Sequence, residues 1–301
     1  MKIAVISVTY NDGYKFQEWY DHYLEYKDDI YLHIIVDNGS TSEYLDLVKQ
    51  KFSESKIIQL GYNGGSTAAY NAGIEYALAD KEVDAIALIG NDIRLETSSL
   101  LVLYDLLYSD VTYGMAAPIL LNPSKTIACY GEQLDRRNMN LKALNTNLSL
   151  EEVPDLLISD TLPGGCNMAK REFYEKVGLQ DEKFFMYADE VDMGIRGERA
   201  GYKFVFTNKI VSWHMHINPP GQANRNPMAA YLMGRNHIYL ARKLFGRKEV
   251  FHTVMHRLKT AAVFFLSCLK HHKNKEEYRY AWAFTKGVFA GIRGDMRNNF
   301  D

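Results

Sequence analysis

The acidic group Asp189, Glu190 and Asp192 is the part of the sequence whose residue types and spacing could act on a substrate. It follows an aromatic run and precedes Gly201, a pattern that predicts a helix with an acidic first turn. Asp192 can pair with Arg196 four residues later, whereas Glu190 projects roughly 200° away from Asp192 at about 100° per residue. One acid can therefore hold the helix while another faces a cleft. An acidic turn that only stabilises its helix has the same pattern.

Small polar turns after the apolar runs of the first hundred residues are a second place for chemistry. They contain Thr9, Tyr10 and Asn11, then Asp37, then Asn63 and Gly64, and finally Asn91 and Asp92. Asp37 can accept a hydrogen bond from a base N–H or a ribose hydroxyl, and the glycine-rich turn at Asn63 lets backbone amides approach phosphate. Each turn taken alone is also typical of simple loop chemistry.

Asp92 directly follows an apolar strand pattern, where a hard divalent cation that bridges two phosphates would need an oxygen ligand. The alternative is that Asp92 caps the segment that follows. Further along the chain, His214 lies in a predicted strand end over residues 211–216, and an imidazole that faces Asp92 would complete a small metal site. Mn²⁺ tolerates such mixed oxygen and nitrogen ligation.

Alternating strand and helix patterns over the first 120 residues must position these side chains. Strands are predicted over residues 3–8, 32–36, 56–60, 85–89 and 115–121, with helices over 14–26, 43–52, 66–79 and 97–107. Such a βαβ series predicts an α/β fold with a parallel sheet, helices on both faces, and ligands beyond the carboxyl ends of the strands. Neither G-x-G-x-x-G nor G-x-x-x-x-G-K-[ST] is present, which disfavours a dinucleotide oxidoreductase and a P-loop hydrolase.

The composition is that of a globular, enzyme-sized protein. The 301 residues are 47% hydrophobic and 24% charged, enough to bury a large core. Cys129, Cys166 and Cys268 stand far apart, which favours a reducing compartment, the cytoplasm, over a disulfide framework or a zinc site. The longest apolar run, residues 261–269, is well below the roughly 20 residues that span a bilayer, and residues 3–8 fit a buried strand better than a secretory signal.

Charge divides the chain at a predicted loop over residues 218–227. Residues 227–301 hold 14 Lys and Arg against 5 Asp and Glu, a net +9, so residues 1–226 carry a net −11 within the total of −2. We therefore predict an acidic body, residues 1–226, and a basic helical tail, residues 227–301.

Two amphipathic helices are predicted in this tail. One carries an apolar stripe of Phe251, Val254, Met255, Leu258, Ala262, Phe265 and Leu269, and the other, over residues 276–289, carries Tyr278, Tyr280, Trp282, Phe284 and Phe289. Aromatic residues and nearby lysines favour a headgroup boundary, so the pattern indicates contact with an anionic membrane surface. Packing on the body or a homo-oligomer interface would produce the same stripes.

The ordered motifs of the chain resemble those of glycosyltransferase family 2, the inverting nucleotide-sugar transferases of the GT-A fold. Within that family the chain is similar to the bacterial rhamnosyltransferase-type enzymes that build surface polysaccharides. The matching segments are residues 8–11, 36–40, 63–65 with Ala69, Asn71 and Gly73, 90–92, 163–165, 185–196 with Gly201 and Tyr202, His214, and Tyr231 with Arg235 and Asn236. The resemblance implies a mixed GT-A sheet with helices on both faces and a C-terminal helical tail.

The resemblance also implies a role for individual residues. Donor-binding residues would be Thr9, Tyr10, Asn11, Asp37, Asn63, Gly64, Asn71, Asn91 and Arg235; a Mn²⁺ or Mg²⁺ ion would bind Asp92 and His214; and the acceptor would contact Gly164 and Gly165. Glu190 takes the catalytic-base position, with Asp189 as the alternative. Many relatives carry D-x-D where this chain has Gly90-Asn91-Asp92, and Glu-Asp where it has Asp189-Glu190.

The implied function is inverting transfer of a hexosyl or deoxyhexosyl group, such as rhamnosyl. The donor would be a dTDP- or UDP-linked sugar, the acceptor a saccharide or polyprenyl-linked saccharide, and the site of action the inner face of the plasma membrane; no nucleic acid partner is expected. A nucleotidyltransferase is an alternative, but it would need Lys or Arg in a Gly-rich loop after the first strand, which residues 9–13 lack. A non-catalytic nucleotide-sugar-binding or lipid-binding module is the other alternative, suggested by Gly90.

Overall fold

Short runs of buried aliphatic residues form the strands of the central sheet. The computed structural model describes residues 1–146, 148–215, 226–272 and 274–298. The strands are β1 (Ile3–Thr9), β2 (Leu32–Asp37), β3 (Lys56–Gln59), β4 (Ala85–Ile89), β5 (Ile93–Leu95), β6 (Tyr113–Leu121), β7 (Ile127–Cys129), β8 (Glu132–Asp135), β9 (Asn140–Ala143), β10 (Leu156–Ser159), β11 (Cys166–Lys170) and β12 (Lys203–His214). Side chains alternate between the faces, so Ile3 and Val5 enter one core layer while Ala4 and Ile6 enter the other.

Helices cover both faces of this sheet. They are α1 (Phe16–Tyr26), α2 (Ser42–Lys51), α3 (Gly65–Ala79), α4 (Ser99–Tyr108), α5 (Arg171–Val177), α6 (Asp189–Arg199), α7 (Pro227–Leu244), α8 (Arg247–Lys270) and α9 (Lys275–Arg293). Aromatic and aliphatic side chains of α1, α2 and α4 fill one core layer, and those of α3, α5 and α6 fill the other. The polar turns that follow β1, β2 and β4 are left at one edge of the sheet.

The sheet is mixed rather than parallel throughout. Its order is β10-β12-β6-β11-β4-β1-β2-β3, with β5 beside β12 and β7 beside β6. β3, β2, β1 and β4 run parallel, but β11 runs antiparallel between β4 and β6. The βαβ pattern is therefore wrong in predicting a parallel sheet, because β11 returns after a long excursion of the chain. The mixed sheet with helices on both faces is confirmed.

The predicted strands and helices agree with the structure over the first 121 residues. For most of the next sixty residues the sequence patterns predict no strand or helix. The predicted elements match β1 to β4, β6 and α1 to α4 within a few residues. The later stretch contains β7 to β11, which are only three to five residues long. Charged side chains in β8 obscure any alternation there. Residue 216 of the predicted strand 211–216 and residues 218–225 of the predicted loop lie outside the described residues.

Helices α7, α8 and α9 pack together and onto α6. α7 and α9 come close because glycine lies at their crossing: a Cβ on Gly287 would lie 2.0 Å from the carbonyl oxygen of Tyr231. Leu240 of α7 joins a hydrophobic cluster with Val191 and Ile195 of α6. The predicted helical tail is therefore present and covers the helix that carries the acidic group. Its separation as a domain at residue 226 stays a prediction.

The two predicted apolar stripes of the tail are only partly exposed. The exposed members are Phe251, Met255, Ala262, Leu269, Trp282 and Phe289, while Val254, Leu258 and Phe265 are half-buried. Phe284 is buried against Phe264 of α8, so its predicted place at a headgroup boundary is wrong. In the part of the chain that the structure describes, no helix is both long and apolar enough to cross a membrane.

The segment before α6 has an unusual backbone that α7 holds in place. Phe185, Tyr187 and Ala188 adopt left-handed conformations, with φ of 66°, 68° and 68°. Such conformations cost of the order of 1–3 kcal/mol each outside glycine and persist only where the surroundings fix them. The buried Asn236 side chain donates to three carbonyl oxygens of this segment, at 3.0, 2.8 and 2.8 Å. α7 thus sets the direction in which α6 begins.

Replacing Asn236 by Ala should lower the free energy of unfolding by about 1–3 kcal/mol, because buried carbonyl groups lose their donor. Asn208→Ala is the matched control, since the Asn208 amide donates to only one carbonyl oxygen, that of Val153 at 3.2 Å. Urea unfolding of both variants measures the difference. If Asn236→Ala lowers the free energy of unfolding no more than Asn208→Ala does, the left-handed segment before α6 does not depend on α7.

Candidate active site

The loops after β1 and β2 are joined to each other by hydrogen bonds. Asn11 Oδ1 accepts the Thr41 N–H at 2.9 Å, and the Asn11 N–H donates to Ser40 Oγ at 3.0 Å. The carboxylate of Asp37, buried at the end of β2, accepts the Ser40 N–H at 3.1 Å. The two loops therefore form one fixed polar surface at the carboxyl ends of their strands.

Thr9 and Asn91 lie in a polar cluster where β1 and β4 end. Asn91 Nδ2 donates to Asp12 Oδ2 at 2.7 Å and lies 3.5 Å from Thr9 Oγ1. Thr9 Oγ1 is also 2.5 Å from the hydroxyl of Tyr44. Thr9 and Asn91 are buried, whereas Tyr10 is exposed beside them. The cluster holds the two strand ends in register with each other.

Asn63 and Gly64 form the loop between β3 and α3. The side chain of Asn38 donates to Asn63 Oδ1 at 3.1 Å and accepts the Gly64 N–H at 2.9 Å. α3 begins at Gly65, which has φ of +76°, and a Cβ there would lie 2.1 Å from the carbonyl oxygen of Phe185. The start of α3 therefore lies directly against the left-handed segment, and only glycine fits.

A cavity of about 320 Å³ lies where these loops meet β12. Its lining includes Tyr70, Asn91, Asp92, Gly164, Gly165 and His214. Asp92 Oδ2 lies 3.2 Å from His214 Nε2, so the structure brings the two predicted metal ligands together. Gly165 is fixed beside them, because its carbonyl oxygen accepts the Gly90 N–H at 2.7 Å.

The Asp92 carboxyl is suited to a cation. Burial raises its pKa, but the hydrogen bond with His214 and the charge of Lys15 outweigh burial, and the net pKa lies below the ordinary value. The carboxylate is therefore ionised at neutral pH. The described residues contain no group of three or more His, Cys, Asp or Glu that could hold a metal ion. Two protein ligands fit a cation that takes its other oxygens from a substrate diphosphate and water.

Tyr70 and Gly164 link this cavity to the start of α6. Tyr70 lines the cavity. Burial raises the pKa of its phenol, and its neighbours Asp92 and Asp189 raise that pKa further. Gly164 lines the cavity and also a small interior void lined by Glu190. The predicted metal ligands, acceptor glycines and catalytic acids thus lie around one region of the structure.

Asp189 and Glu190 open α6 in unequal surroundings. Burial, and then the charge of Glu190 and a hydrogen bond with it, raise the pKa of Asp189 well above its ordinary value. Glu190 is half-buried, and its backbone carbonyl accepts the Thr161 hydroxyl at 3.0 Å. Two neighbouring carboxyls cannot both ionise easily, which together with burial accounts for the raised pKa of Asp189.

Asp192 has the structural task that its spacing predicts. It is fully buried, and its carboxylate pairs with Arg196 Nε at 2.8 Å and with Lys243 Nζ at 2.8 Å. Lys243 belongs to α7, so the pair also ties α6 to the C-terminal helices. The predicted pair of Asp192 with Arg196 is confirmed.

Of the predicted donor-binding residues only Asn91 lines the cavity; six others lie on the loops or strand ends at the sheet edge, whereas Asn71 and Arg235 are buried in helices. Asn71 is buried in α3, and its amide exchanges hydrogen bonds with the backbone of Gln180, at 2.9 and 3.0 Å. Arg235 is fully buried in α7 and donates to the carbonyl oxygens of Lys183 and Phe184, each at 3.3 Å. Both side chains fix the chain that leads into α6.

Glu132 is an acid beside Glu190 that sequence reasoning missed. Its N–H donates to Ser159 Oγ at 2.8 Å, and its carbonyl oxygen accepts the Asp160 N–H at 3.0 Å. This same short stretch supplies Thr161, which binds the backbone of Glu190. Burial, and then the charge of Glu190, raise the pKa of Glu132 to about 7. A single acid in a four-residue strand gives no local signal, so only its contacts with residues 159–161 reveal it.

Solved glycosyltransferases share this fold. The crystal structure of GalNAc-T7 with UDP, GalNAc and Mn²⁺ superposes with a TM-score of 0.67 and 13% identity, over 96% of this chain and 57% of that chain. The mannosyltransferase PcManGT from Pyrobaculum calidifontis, in complex with GDP-Man and Mn²⁺, gives a TM-score of 0.58 and 13% identity, over 99% of this chain and 88% of that chain. At such low identity the likeness establishes the fold, which is GT-A.

Two characterised relatives are similar in sequence. The low-salt glycan biosynthesis hexosyltransferase Agl10 of Haloferax volcanii is 25% identical over 223 residues, 71% of this chain and 68% of its own length. The N-acetylglucosaminyl-diphospho-decaprenol L-rhamnosyltransferase of Mycobacterium tuberculosis is 23% identical over 267 residues, 81% of this chain and 85% of its own length. Residues 4–178, more than half of the chain, match the family model itself. The chain with the Asp92–His214 cavity and the Asp189–Glu190 helix start is therefore a member of glycosyl transferase family 2.

Proposed function

We propose that the protein transfers a hexosyl or deoxyhexosyl group, such as rhamnosyl, from a nucleoside diphosphate to a saccharide hydroxyl with inversion. The observation that carries this proposal is the unequal pair at the start of α6. Asp189 is buried and its pKa is raised, Glu190 beside it is half-buried, and Tyr70 and Gly164 connect the pair to the cavity of Asp92 and His214. A base and a diphosphate-binding edge are what such a displacement needs.

The donor would lie along the polar edge of the sheet. Thr9, Asp37 and Asn11 would contact the nucleoside, with Tyr10 beside it, while Asn63, Gly64 and Asn91 would follow the donor towards the cavity. The hydrogen bonds that already join these loops support this assignment, because they fix the loop surfaces before the donor arrives. Asn71 and Arg235 would act indirectly, through the backbone that they hold. We propose a dTDP- or UDP-linked donor; of the solved structures that share the fold, GalNAc-T7 holds UDP and PcManGT holds GDP-Man.

Asp92 and His214 would hold a divalent cation, Mn²⁺ or Mg²⁺. When bound there, the cation neutralises charge on the diphosphate leaving group. The ionised Asp92 carboxylate and the imidazole 3.2 Å from it are a ligand pair that Mn²⁺ accepts. Gly164 and Gly165 would contact the acceptor next to this pair; nothing lies within 4 Å of a Cβ placed on Gly164, whereas the Tyr70 hydroxyl lies 3.2 Å from one placed on Gly165.

Glu190 would take the proton of the acceptor hydroxyl as its oxygen bonds to the anomeric carbon. The bond between that carbon and the diphosphate oxygen breaks on the opposite face, and its electron pair leaves with the nucleoside diphosphate. Asp189 keeps its proton throughout and orients Glu190 by their hydrogen bond. The burial of Asp189, and the half-buried position of Glu190 at the small interior void, favour Glu190 rather than Asp189 as the base.

Glu190→Gln should lower kcat by the roughly 10² to 10⁴ typical of a lost general base while leaving donor affinity nearly unchanged. Asp189→Asn is the matched control: it resembles the protonated acid already present, so kcat should fall by much less. Steady-state kinetics and donor titration with each variant separate the two effects. If Asp189→Asn is the more damaging change, the assignment of the base is reversed.

We further propose that the tail, residues 227–301, rests on an anionic membrane surface at the cytoplasmic face, where a polyprenyl-linked acceptor of surface polysaccharide synthesis would be presented. α8 exposes Phe251, Leu266 and Leu269, with fractional exposures of 61%, 62% and 61%, and α9 exposes Trp282. The tail carries a net charge of +9, whereas residues 1–226 carry a net −11. Together these features favour an anionic leaflet over a neutral partner.

Vesicle flotation tests this placement. The wild type should float with phosphatidylglycerol vesicles and be released by high salt, whereas Leu266→Glu with Leu269→Glu should not float. Leu24→Glu is the control, because Leu24 is an exposed leucine on α1. Salt-insensitive dimerisation that the α8 variant abolishes, with no flotation of the wild type, would instead make this face a homo-oligomer interface.

A further inference from the structure

A second large cavity, remote from the loops at the sheet edge, lies between the turn after β8 and the first turns of α8. Its volume is about 650 Å³. The turn contributes Asp135, Arg137 and Asn138, and α8 contributes Lys248, Glu249, His252 and His256. We call this cavity the α8 groove. None of its residues has a task in the site described above.

The two carboxylates of the α8 groove are already used by the local backbone. Asp135 accepts the N–H of Arg137 at 3.0 Å and the side-chain amide of Asn138 at 2.8 Å. Glu249 accepts the N–H of Gly246 at 3.2 Å and so caps α8. Neither carboxylate forms an ion pair with a cation of the groove among the described residues. Their hydrogen bonds fix the turn and the helix start that form its walls.

The basic side chains of the α8 groove, by contrast, have no protein acceptor. Within residues 1–146, 148–215, 226–272 and 274–298, the side chains of Arg137, Lys248 and His252 make no hydrogen bond or ion pair. An anion is the ligand that such a set of donors would bind.

The α8 groove lies at one end of β8, and the other end of β8 lies beside Glu190, the residue proposed to contact the acceptor hydroxyl. β8 carries Glu132, the neighbour of Glu190, at one end and Asp135 at the other, a span of about 10 Å at 3.3 Å per residue. Next to the groove residues His252 and His256, α8 exposes the apolar side chains of Phe251 and Met255. A ligand that spans this arrangement has a hydroxyl at Glu190, an anionic group in the groove and an apolar chain along α8.

We propose that the α8 groove binds the diphosphate of a lipid-linked acceptor and thereby places its sugar hydroxyl at Glu190. This inference rests on the proposed function, whose acceptor site it specifies. Arg137 and Lys248 would contact the phosphate oxygens, while Asn138 and His252 would donate hydrogen bonds. The isoprenoid chain would then follow the exposed face of α8 to the membrane.

Binding of farnesyl diphosphate, measured by calorimetry with UDP and Mn²⁺ present to fill the donor site, tests the proposal. Arg137→Gln with Lys248→Gln should raise its dissociation constant at least about tenfold. The control, Arg136→Gln with Lys270→Gln, removes equal charge outside the groove, since Arg136 pairs with Glu198 and Lys270 lies at the far end of α8. This control should bind like the wild type. Inorganic pyrophosphate and farnesol should each bind more weakly than farnesyl diphosphate.

Several results would overturn the proposal: equal affinity of both double variants, displacement of farnesyl diphosphate by added UDP, or pyrophosphate binding as tightly as farnesyl diphosphate. All four substituted side chains are exposed or form only exposed contacts, so thermal unfolding should be unchanged. A separate titration with UDP and dTDP alone tests donor binding. Failure there would contradict the proposed function while leaving the farnesyl diphosphate comparison valid.

Discussion

The rest of the structure depends on the left-handed backbone of Phe185, Tyr187 and Ala188. These residues carry side chains in conformations that favour glycine, so other parts of the chain must hold them. α3 does so from one side, where the Thr67 N–H donates to the Phe185 carbonyl oxygen, and α7 does so from the other through Asn236. The strain is offset by these bonds, and it points the start of α6 towards the cavity. Helix α3, which packs on the sheet, and the C-terminal helix α7 therefore together fix the first turn of α6.

The three acidic residues in the first turn of α6, Asp189, Glu190 and Asp192, have different surroundings in this arrangement. Asp192 is buried between two cations and stabilises the packing of α6 on α7. Asp189 is buried beside Glu190, and burial and this neighbour raise the pKa of Asp189 well above its ordinary value. Glu132 adds a further acid with a pKa of about 7. The surroundings of a carboxyl group thus decide its properties, and neighbouring acids of one helix differ in burial, partners and pKa.

Sequence patterns predict the parts of the fold that local order controls. The buried runs of β1, β2 and β4 and the acidic start of α6 have clear periodicity, and the Asp192–Arg196 pair follows from helical spacing alone. Long-range contacts have no such signal. Arg235 occupies a family motif, yet its guanidinium binds backbone carbonyls 51 and 52 residues away in the chain. Glu132 is recognisable only once β8 lies beside residues 159–161, and β11 reverses direction for reasons of topology that no local window contains.

A single displacement at the anomeric carbon, with Glu190 as the base, inverts the configuration of that carbon. Nuclear magnetic resonance of the glycoside formed from a nucleotide-sugar donor of known anomeric configuration, in the presence of Mn²⁺, measures the outcome directly through the one-bond carbon–hydrogen coupling at the anomeric position. The account predicts a product of opposite configuration to the donor. A product that retains the donor's configuration would contradict it, because retention requires a different course of reaction from a single attack assisted by Glu190.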